Sequence, residues 1–180
     1  MNKKLIISLE VIIIVVLMTS LVGAEDKMIG YGGINYNDYS EADSSELGFY
    51  AGVNNWLAED YAVGVEMEFL EYSKDYTTDY IYDQPEDSQS YDNEIDYEAV
   101  GLLGTFIYDL EKLENINLYS KAGLYQISVE SDSEIEFGGK IGVAAEKEIK
   151  DNLKLNGRVG YRLVDRFEGL ETGLDLRISF

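Results

Sequence analysis

The feature that most constrains this chain is a hydrophobic alternation with a period of two residues, which begins near residue 27 and continues to Phe180. It is clearest in the last segment, where one row is apolar except for a threonine. That row consists of Leu170, Thr172, Leu174, Leu176, Ile178 and Phe180. Successive side chains of a β-strand point to opposite faces of the sheet, so this pattern predicts a strand with one apolar and one polar face.

The same alternation recurs in earlier segments. They lie at about residues 27–36, 47–54, 61–69, 99–108, 116–124, 135–146 and 153–163. Each segment has about ten residues or slightly more, which suits a strand that crosses a bilayer at a tilt near 45°. Gly30, Gly32 and Gly33 blur the first segment, so its phase stays open. The pattern predicts an all-β fold, namely an eight-stranded antiparallel up-and-down transmembrane β-barrel.

The connections between these segments are unequal in length. Three of them, at 54–60, 109–115 and 149–152, are short, and the others lie at about 39–46, 74–96, 129–133 and 165–168. Only the connection at 74–96 is long. Outer-membrane barrels have short periplasmic turns and longer external loops. We therefore expect a long acidic external loop at 74–96 and periplasmic termini.

The alternation alone does not say which face is inside. A soluble lipocalin-like barrel would turn its apolar row inward around a ligand, whereas a membrane barrel turns it outward to lipid. The polar rows carry six basic residues, Lys121, Lys140, Lys154, Arg158, Arg162 and Arg177, and six acidic residues, Glu66, Glu68, Glu136, Glu146, Glu171 and Asp175. This balance contrasts with 35 acidic against 14 basic residues in the chain.

Matched charges suit an enclosed lumen, because an unpaired buried ion is costly whereas a paired one is tolerated. The charge balance therefore favours an apolar row that faces lipid, with a soluble periplasmic lipid-binding barrel as a further alternative. The predicted charge network of the lumen comprises Glu66, Glu68, Lys140, Arg158, Arg162, Glu171, Asp175 and Arg177.

Residues 1–24 have the features of a secretory signal peptide. A basic start, Asn2-Lys3-Lys4, precedes an apolar core from Val11 to Met18, and Val22-Gly23-Ala24 matches a small-residue cleavage site. We expect cleavage after Ala24, which leaves residues 25–180 as the barrel. An uncleaved membrane-anchor helix is the alternative, since the apolar stretch approaches spanning length.

The terminal segment Gly173-Leu174-Asp175-Leu176-Arg177-Ile178-Ser179-Phe180 resembles the C-terminal signature of bacterial outer-membrane β-barrels. Together with the strand count and the export signal, the chain is similar to the small eight-stranded barrels, OmpX-like proteins and OmpA-type transmembrane domains. The resemblance implies insertion into outer-membrane lipid. It also implies that the barrel assembly machinery reads Leu174, Leu176, Ile178 and Phe180 during biogenesis.

The composition excludes several classes of function. The chain has no histidine and no cysteine, which excludes imidazole-dependent catalytic triads, disulfides and thiolate metal sites. A net charge of −21 opposes nucleic-acid binding, which depends on neutralising phosphates with Lys and Arg. We therefore predict a protein without enzymatic activity, catalytic residues or a cofactor.

The predicted loop 74–96 is the most individual segment. It is rich in acidic residues and tyrosines and contains Pro85, the single proline of the chain. Its composition suggests contact with an external surface or a cation, because hard cations prefer clustered carboxylate oxygens. Asp83, Glu86 and Asp87 are weak metal candidates, since no EF-hand pattern is present. A merely solvated acidic loop is the other interpretation.

Aromatic residues near the predicted strand ends suggest girdles at the membrane interfaces, where amphipathic rings are enriched. The candidates are Trp56, Tyr61, Tyr108 and Phe180. Ordinary strand preference for aromatic residues would account for them equally.

The predicted function is a structural or surface-interaction role, adhesin-like, through the external loops. A porin-like channel, or one with a lateral exit for small solutes, is the alternative. Eight strands enclose an interior just wide enough for side chains to fill it, which argues against an open pore.

Overall fold

The computed structural model describes residues 28–39, 45–79, 90–110, 113, 115–129 and 132–180. They form eight strands: β1 (Met28–Tyr39), β2 (Ser45–Trp56), β3 (Tyr61–Asp79), β4 (Ser90–Asp109), β5 (Ile116–Val129), β6 (Asp132–Lys150), β7 (Leu153–Leu163) and β8 (Gly169–Ser179). The predicted signal peptide and its cleavage site lie outside the described residues. Among those residues, no helix is long and apolar enough to cross a membrane.

Every strand pairs antiparallel with its sequence neighbours, and β1 pairs with β8 to close the barrel. At the closing seam, Tyr31 lies opposite Arg177 and Ile34 lies opposite Leu174. This topology confirms the predicted eight-stranded up-and-down barrel. We call the end with the short turns 57–60, 110–115 and 151–152 the periplasmic end, because outer-membrane barrels turn tightly on that side.

The exposed face of the barrel is apolar. Phe137 is 75% exposed and Ile135 is 72% exposed, and large apolar residues follow the outward rows of all eight strands. The inward rows are buried and include charged residues such as Glu66 and Arg162. A contiguous apolar surface of this extent requires lipid and not water around it. The lipid-outward prediction is confirmed, and the soluble alternative with an apolar interior is wrong.

The structure fixes the phase of β1, which the sequence left open. Tyr31, Asn35, Asn37 and Tyr39 are buried, so the odd-numbered residues face the lumen. Gly33 shares that row at a point where the backbones come close: a Cβ there would lie 2.7 Å from Asp175 Cα on β8. The glycines that obscure the pattern thus include one that the closing seam requires.

The predicted loop 74–96 is mostly β-structure. Strands β3 and β4 continue past the apolar rows and pair from Tyr61 opposite Tyr108 to Asp79 opposite Ser90. The physical reason is a high content of Tyr and Thr, which favour strands. The hydrophobic alternation ends before this segment, so no membrane-strand signal marks it in the sequence. Residues 80–89, with the metal candidates Asp83, Glu86 and Asp87, lie outside the described residues.

Candidate functional site

Inward side chains form successive layers along the barrel axis. An external apolar layer consists of Tyr39, Leu70, Tyr72, Ala99, Leu103, Tyr125, Ile127, Val164 and Phe167. A charged belt follows, formed by Glu66, Glu68, Lys121, Lys140, Arg158, Arg162 and Glu171. Nearer the periplasmic end, Ala62, Ile107, Tyr119 and Ala144 form a second apolar cluster. These layers line the lumen along the part of the barrel that the structure describes.

Glu66 on β3 is the first junction of the charged belt. Its carboxylate pairs with the Lys121 ammonium, with Lys140 Nζ at 3.1 Å and with Arg158 Nη1 at 3.2 Å. The Glu66 side chain is fully buried. Three cations from β5, β6 and β7 therefore converge on one carboxylate, and they compensate its transfer out of water.

Glu68 and Glu171 form the second junction of the belt. Lys140 Nζ lies 2.7 Å from Glu68 and 3.2 Å from Glu171, and Arg162 pairs with both carboxylates. Arg158 Nη2 lies 2.8 Å from the remaining oxygen of Glu171. The belt thus connects β3 with β6, β7 and β8 across the lumen. These contacts bring together six of the residues named from the sequence, Glu66, Glu68, Lys140, Arg158, Arg162 and Glu171.

Asp175 and Arg177, the other two network candidates, lie closer to the periplasmic end. Arg177 Nε donates to Asp175 Oδ1 at 3.0 Å, and the Arg177 guanidinium also pairs with Glu146. Tyr50 Oη and Asn156 Nδ2 donate to Asp175 Oδ2 at 2.9 and 2.7 Å. The predicted network is therefore two adjoining groups with separate carboxylates.

Several buried polar partners were not named as site residues from the sequence. Asn35 Nδ2 donates to Glu68 at 2.7 Å, and Tyr125 Oη donates to the same carboxylate at 3.0 Å. The Arg158 guanidinium carbon lies 3.4 Å from the centroid of the Tyr50 ring, a stacked cation–π contact. Alternation places these residues in the lumen, but only the three-dimensional register shows which of them meet.

The external layer is closed by aromatic contacts. Phe167, in the connection between β7 and β8, is fully buried, and its ring centroid lies 5.5 Å from that of Tyr39 and 5.1 Å from that of Tyr72. The neighbouring Arg166 has a left-handed backbone with φ of 63°, which is uncommon for a residue with a side chain. This turn directs Phe167 into the external end of the lumen and so helps to fill it.

The predicted interface aromatics have two different positions. Tyr61 and Tyr108 lie opposite each other at the periplasmic ends of β3 and β4, and Phe180 is 79% exposed. Trp56 instead extends the inward row of β2 and packs against the periplasmic apolar cluster. The prediction of Trp56 as an interface residue is therefore corrected, because it lies two residues after Asn54 and shares that residue's inward phase.

The C-terminal signature forms strand β8. Leu174, Leu176 and Ile178 all lie on its exposed row. The strand pairs with both β1 and β7 and so completes the closed sheet. A role of these residues and Phe180 in recognition by the assembly machinery stays a prediction.

Strands β3 and β4 extend beyond their other neighbours. Pairing of β2 with β3 ends at Phe49 opposite Phe69, and pairing of β4 with β5 ends at Tyr97 opposite Val129. Strands β3 and β4 continue to pair with each other beyond these points, from Ser73 opposite Asp96 to Asp79 opposite Ser90. We call residues 73–79 and 90–96 the β3–β4 ribbon. At about 3.3 Å per residue, it is roughly 20 Å long.

The ribbon has two chemically different faces. Cross-strand partners share a face, and successive residues alternate between faces. One face of the ribbon continues a row of residues from the barrel, and it has no basic position. The acidic positions of this series are Glu71, Asp75, Asp79, Asp92, Glu94, Asp96 and Glu98. We call this series the acidic face. The other face has Lys74, Tyr76, Thr78, Tyr91, Asn93 and Ile95.

Like charges oppose each other on the acidic face. The register places Glu71 opposite Glu98 and Asp75 opposite Glu94. Glu71 and Glu98 are both exposed just above the apolar row. Ser73 Oγ donates to Asp96 Oδ1 at 2.8 Å, which fixes one carboxylate of this face. Opposed like charges destabilise a strand pair, so a cationic partner on this face would be favourable.

No family model matches the sequence, and no curated protein matches it. The fold has solved counterparts. Ail of Yersinia pestis, solved in complex with the heparin analogue sucrose octasulfate, is similar over 87% of this chain and 100% of its own, with 14% identity and a TM-score of 0.51. OprG of Pseudomonas aeruginosa matches over 86% and 93%, with 9% identity and a TM-score of 0.49. Neisserial surface protein A matches over 86% and 96%, with 15% identity and a TM-score of 0.48.

The likeness to Ail is a likeness of fold. The chain therefore has the architecture of the small eight-stranded outer-membrane barrels that its terminal segment resembles.

Proposed function

We propose that this protein is a non-enzymatic outer-membrane protein that binds an external partner through the β3–β4 ribbon. The observation that carries the proposal is the extension of β3 and β4 beyond the ends of their pairing with β2 and β5. Within the described part of the chain, no third strand pairs with ribbon residues 73–79 or 90–96. A strand edge of this kind offers backbone donors and acceptors to an incoming extended segment.

The outer-membrane location is supported by three features. The N-terminal segment has the pattern of a cleavable export signal. The outward rows are apolar, and the topology closes every strand of the transmembrane part. A closed sheet leaves no backbone group unpaired in lipid, which is the condition for strands to cross a bilayer. Outer-membrane lipid is thus one partner, and the barrel assembly machinery is the partner proposed for biogenesis.

The chemistry of the ribbon favours a cationic partner. Its acidic face contains carboxylates in both strands and no Lys or Arg. Complementary charge increases the rate and the specificity of association. The neighbour Ail is described with a sulfated sugar analogue. An acidic face would repel such a polyanion, so we propose an extended segment rich in Lys or Arg instead.

A shortened ribbon tests the proposal. Asp75 lies opposite Glu94, so residues 76–93 can be replaced by Asn-Gly, the favoured two-residue hairpin turn. The probe is an immobilised peptide of alternating lysine and threonine, and the barrel is presented in lipid nanodiscs. We expect the natural chain to bind the peptide and the shortened chain to lose binding. A heat-dependent shift in SDS gel mobility verifies that both variants form the barrel.

A charge-neutral ribbon separates the contribution of the strand edges from that of charge. The variant carries Asp75→Asn, Asp79→Asn, Asp92→Asn, Glu94→Gln and Asp96→Asn. We expect it to bind the lysine-threonine peptide at least tenfold more weakly, while a glutamate-threonine peptide binds neither form. Undiminished binding by the shortened chain would refute the ribbon as the contact.

A conducting pore is the second candidate function. Its support is the fold alone, whereas buried side chains of the external layer and ion pairs of the charged belt cross the described lumen. We expect the purified protein to be silent in planar bilayers across salt concentrations. Regular single-channel steps that depend on the protein would establish the porin-like alternative. A channel with a lateral exit would instead be detected by uptake of small apolar solutes into proteoliposomes.

A cation site at residues 83–87 stays a prediction. Among the described residues, no group of three or more acidic side chains is arranged to hold a metal ion. Calorimetric titration of the natural chain and the shortened ribbon with Ca²⁺ would test the segment directly.

A further inference from the structure

A cavity of about 350 Å³ opens at the periplasmic end of the barrel. Trp56 and Ile29 contribute apolar surface, and Glu59, Asp109 and Lys154 contribute charge. Its volume falls at the lower end of the range for small-ligand sites, roughly 300–1,000 Å³. The cavity is separated from the ribbon by the length of the barrel, so its role is independent of the proposed surface binding.

Backbone hydrogen bonds hold the two acidic walls of this cavity together. Asp109 N donates to Asp60 O at 2.8 Å, which ties the end of β4 to the turn that contains Glu59. In the same turn, Leu57 N donates to Tyr61 O at 3.1 Å. The backbone segments that carry Glu59 and Asp109 are therefore fixed relative to each other.

The opposite wall is fixed in the same way. Ser179 N donates to Asn152 O at 3.1 Å, and Phe180 N donates to Met28 O at 3.0 Å. These bonds hold the last residues of β8 against the β6–β7 turn and the start of β1. The backbone segments that carry the cavity's lining residues are consequently hydrogen-bonded to their neighbours on both sides.

The charges in the cavity do not cancel. Lys154 Nζ lies 3.0 Å from Glu146 Oε2, so a carboxylate outside the cavity lining already compensates the ammonium. Glu59 and Asp109 have no basic partner among the described residues. Within the described part of the chain, the cavity therefore combines two carboxylates that lack a basic partner with the indole of Trp56. This combination suits a cation with an apolar stem, which would contact the ring and the carboxylates together.

We infer that this cavity binds a primary alkylammonium group, such as the end of a lysine side chain or of a free polyamine. The ammonium would lie between Glu59 and Asp109, and the methylene stem would pack on Trp56 and Ile29. An anionic or purely apolar ligand would leave both carboxylates without a counter-charge. The chemistry thus selects cations, whichever source supplies them.

The chain has a single tryptophan, so Trp56 fluorescence reports on the cavity directly. The full mature chain in nanodiscs is titrated with n-butylammonium and, separately, with n-butanol, with excitation at 295 nm. We expect a saturable change with the amine and none with the alcohol. Equal responses to both probes, or no response to the amine, would overturn the inference.

Two further amines distinguish the sources. Putrescine represents a free polyamine, and Nα-acetyl-lysine N-methylamide represents a lysine side chain in a polypeptide. Tighter binding of the lysine derivative assigns the cavity to a periplasmic protein or peptide, and tighter binding of putrescine assigns it to a free polyamine. Either result supports an alkylammonium site.

Substitutions of the two cavity carboxylates test whether they bind the ammonium group. We expect Glu59→Gln and Asp109→Asn each to weaken n-butylammonium binding about threefold, and the double variant about tenfold. Asp151→Asn, which removes an exposed acid from the neighbouring β6–β7 turn, is the matched control and should bind as the natural chain does. Unchanged binding by both single variants would overturn the inference even if the double variant failed to fold.

Discussion

The charged belt and the acidic face of the ribbon use the same kind of side chain in opposite ways. Each belt carboxylate is buried and has at least two cations within 3.2 Å, as at Glu68 with Lys140 and Arg162. On the acidic face, carboxylate positions oppose each other, as Glu71 opposes Glu98, and that face contains no basic position. Carboxylates inside the barrel thus hold strands together, whereas Glu71 and Glu98 lie exposed above the apolar rows.

This difference also locates the net charge of the molecule. The belt has three carboxylates and four cations, although the chain has 35 acidic and 14 basic residues. The acidic excess therefore lies outside the belt. Burial imposes balance on the lumen because an uncompensated ion there is costly. Water and counter-ions impose no such balance on the ribbon.

The largest effect is expected from removing one belt carboxylate. Glu68→Leu would remove one carboxylate partner from each of the buried cations Lys140 and Arg162. We expect the free energy of unfolding to fall by about 3–5 kcal/mol, because breaking a buried ion pair leaves a charge without compensation. Urea unfolding in detergent micelles, followed by Trp56 fluorescence, measures the change. Asp151→Asn, which removes an exposed acid from the β6–β7 turn, is the control and should match the natural chain. Equal stability of both variants would show that the belt is not a structural element.

A smaller loss is expected from Asp175→Asn. The amide keeps the shape of the carboxylate but removes the charge that Arg177 contacts at 3.0 Å. We expect a loss of about 1.5–3 kcal/mol in unfolding free energy, the range for hydrogen bonds that involve a charged group. The same urea titration checks this value, with Asp151→Asn as an exposed control. A loss as large as that of Glu68→Leu would mean that the two lumen groups act as one network.

A modest gain in stability is expected from Glu71→Lys. It replaces a like-charge cross-strand pair by an attractive one with Glu98, worth about 0.2–1 kcal/mol. Hydrogen exchange of the β3 and β4 amides measures the gain locally. The same substitution should weaken binding of the lysine-threonine peptide. Faster exchange in the variant would contradict the proposed repulsion.

The smallest effect on stability is expected from salt. At 1 M ionic strength the screening length falls to about 3 Å, which weakens interactions between exposed charges far more than those between buried pairs. We expect peptide binding to the ribbon to be lost while the urea midpoint of the barrel stays the same. A midpoint that falls steeply with salt would indicate that water reaches the belt.

The sequence predicts the fold well because one physical rule, alternation against lipid, acts on every transmembrane strand. It also identifies the lumen residues, since the polar rows follow from the same rule. It does not show that Glu68 meets Arg162, because β3 and β7 are not neighbours and the contact crosses the lumen. Pairing across an interior depends on strand tilt and stagger, which no local pattern records.

The position of Trp56 and the extent of β3 and β4 were both predicted wrongly, and the sequence contains a signal for each. Trp56 follows Asn54 at the period of the β2 inward row, so extending the alternation by one step would have placed it in the lumen. The ribbon has no apolar row, but Tyr76, Thr77 and Thr78 have high strand preference. A search for apolar alternation therefore detects only the lipid-facing part of β3 and β4. It misses the part of the sheet that continues beyond the apolar rows.

The uninterrupted length of β3 has a mechanical consequence. One strand carries Glu66 and Glu68 in the belt and Asp75 and Asp79 in the ribbon. A pull on the ribbon would therefore travel along a continuous backbone into the barrel wall. Its ladder hydrogen bonds run perpendicular to the strands, so an axial load shears many of them at once. The barrel wall would thus resist a load applied to the ribbon with many hydrogen bonds together.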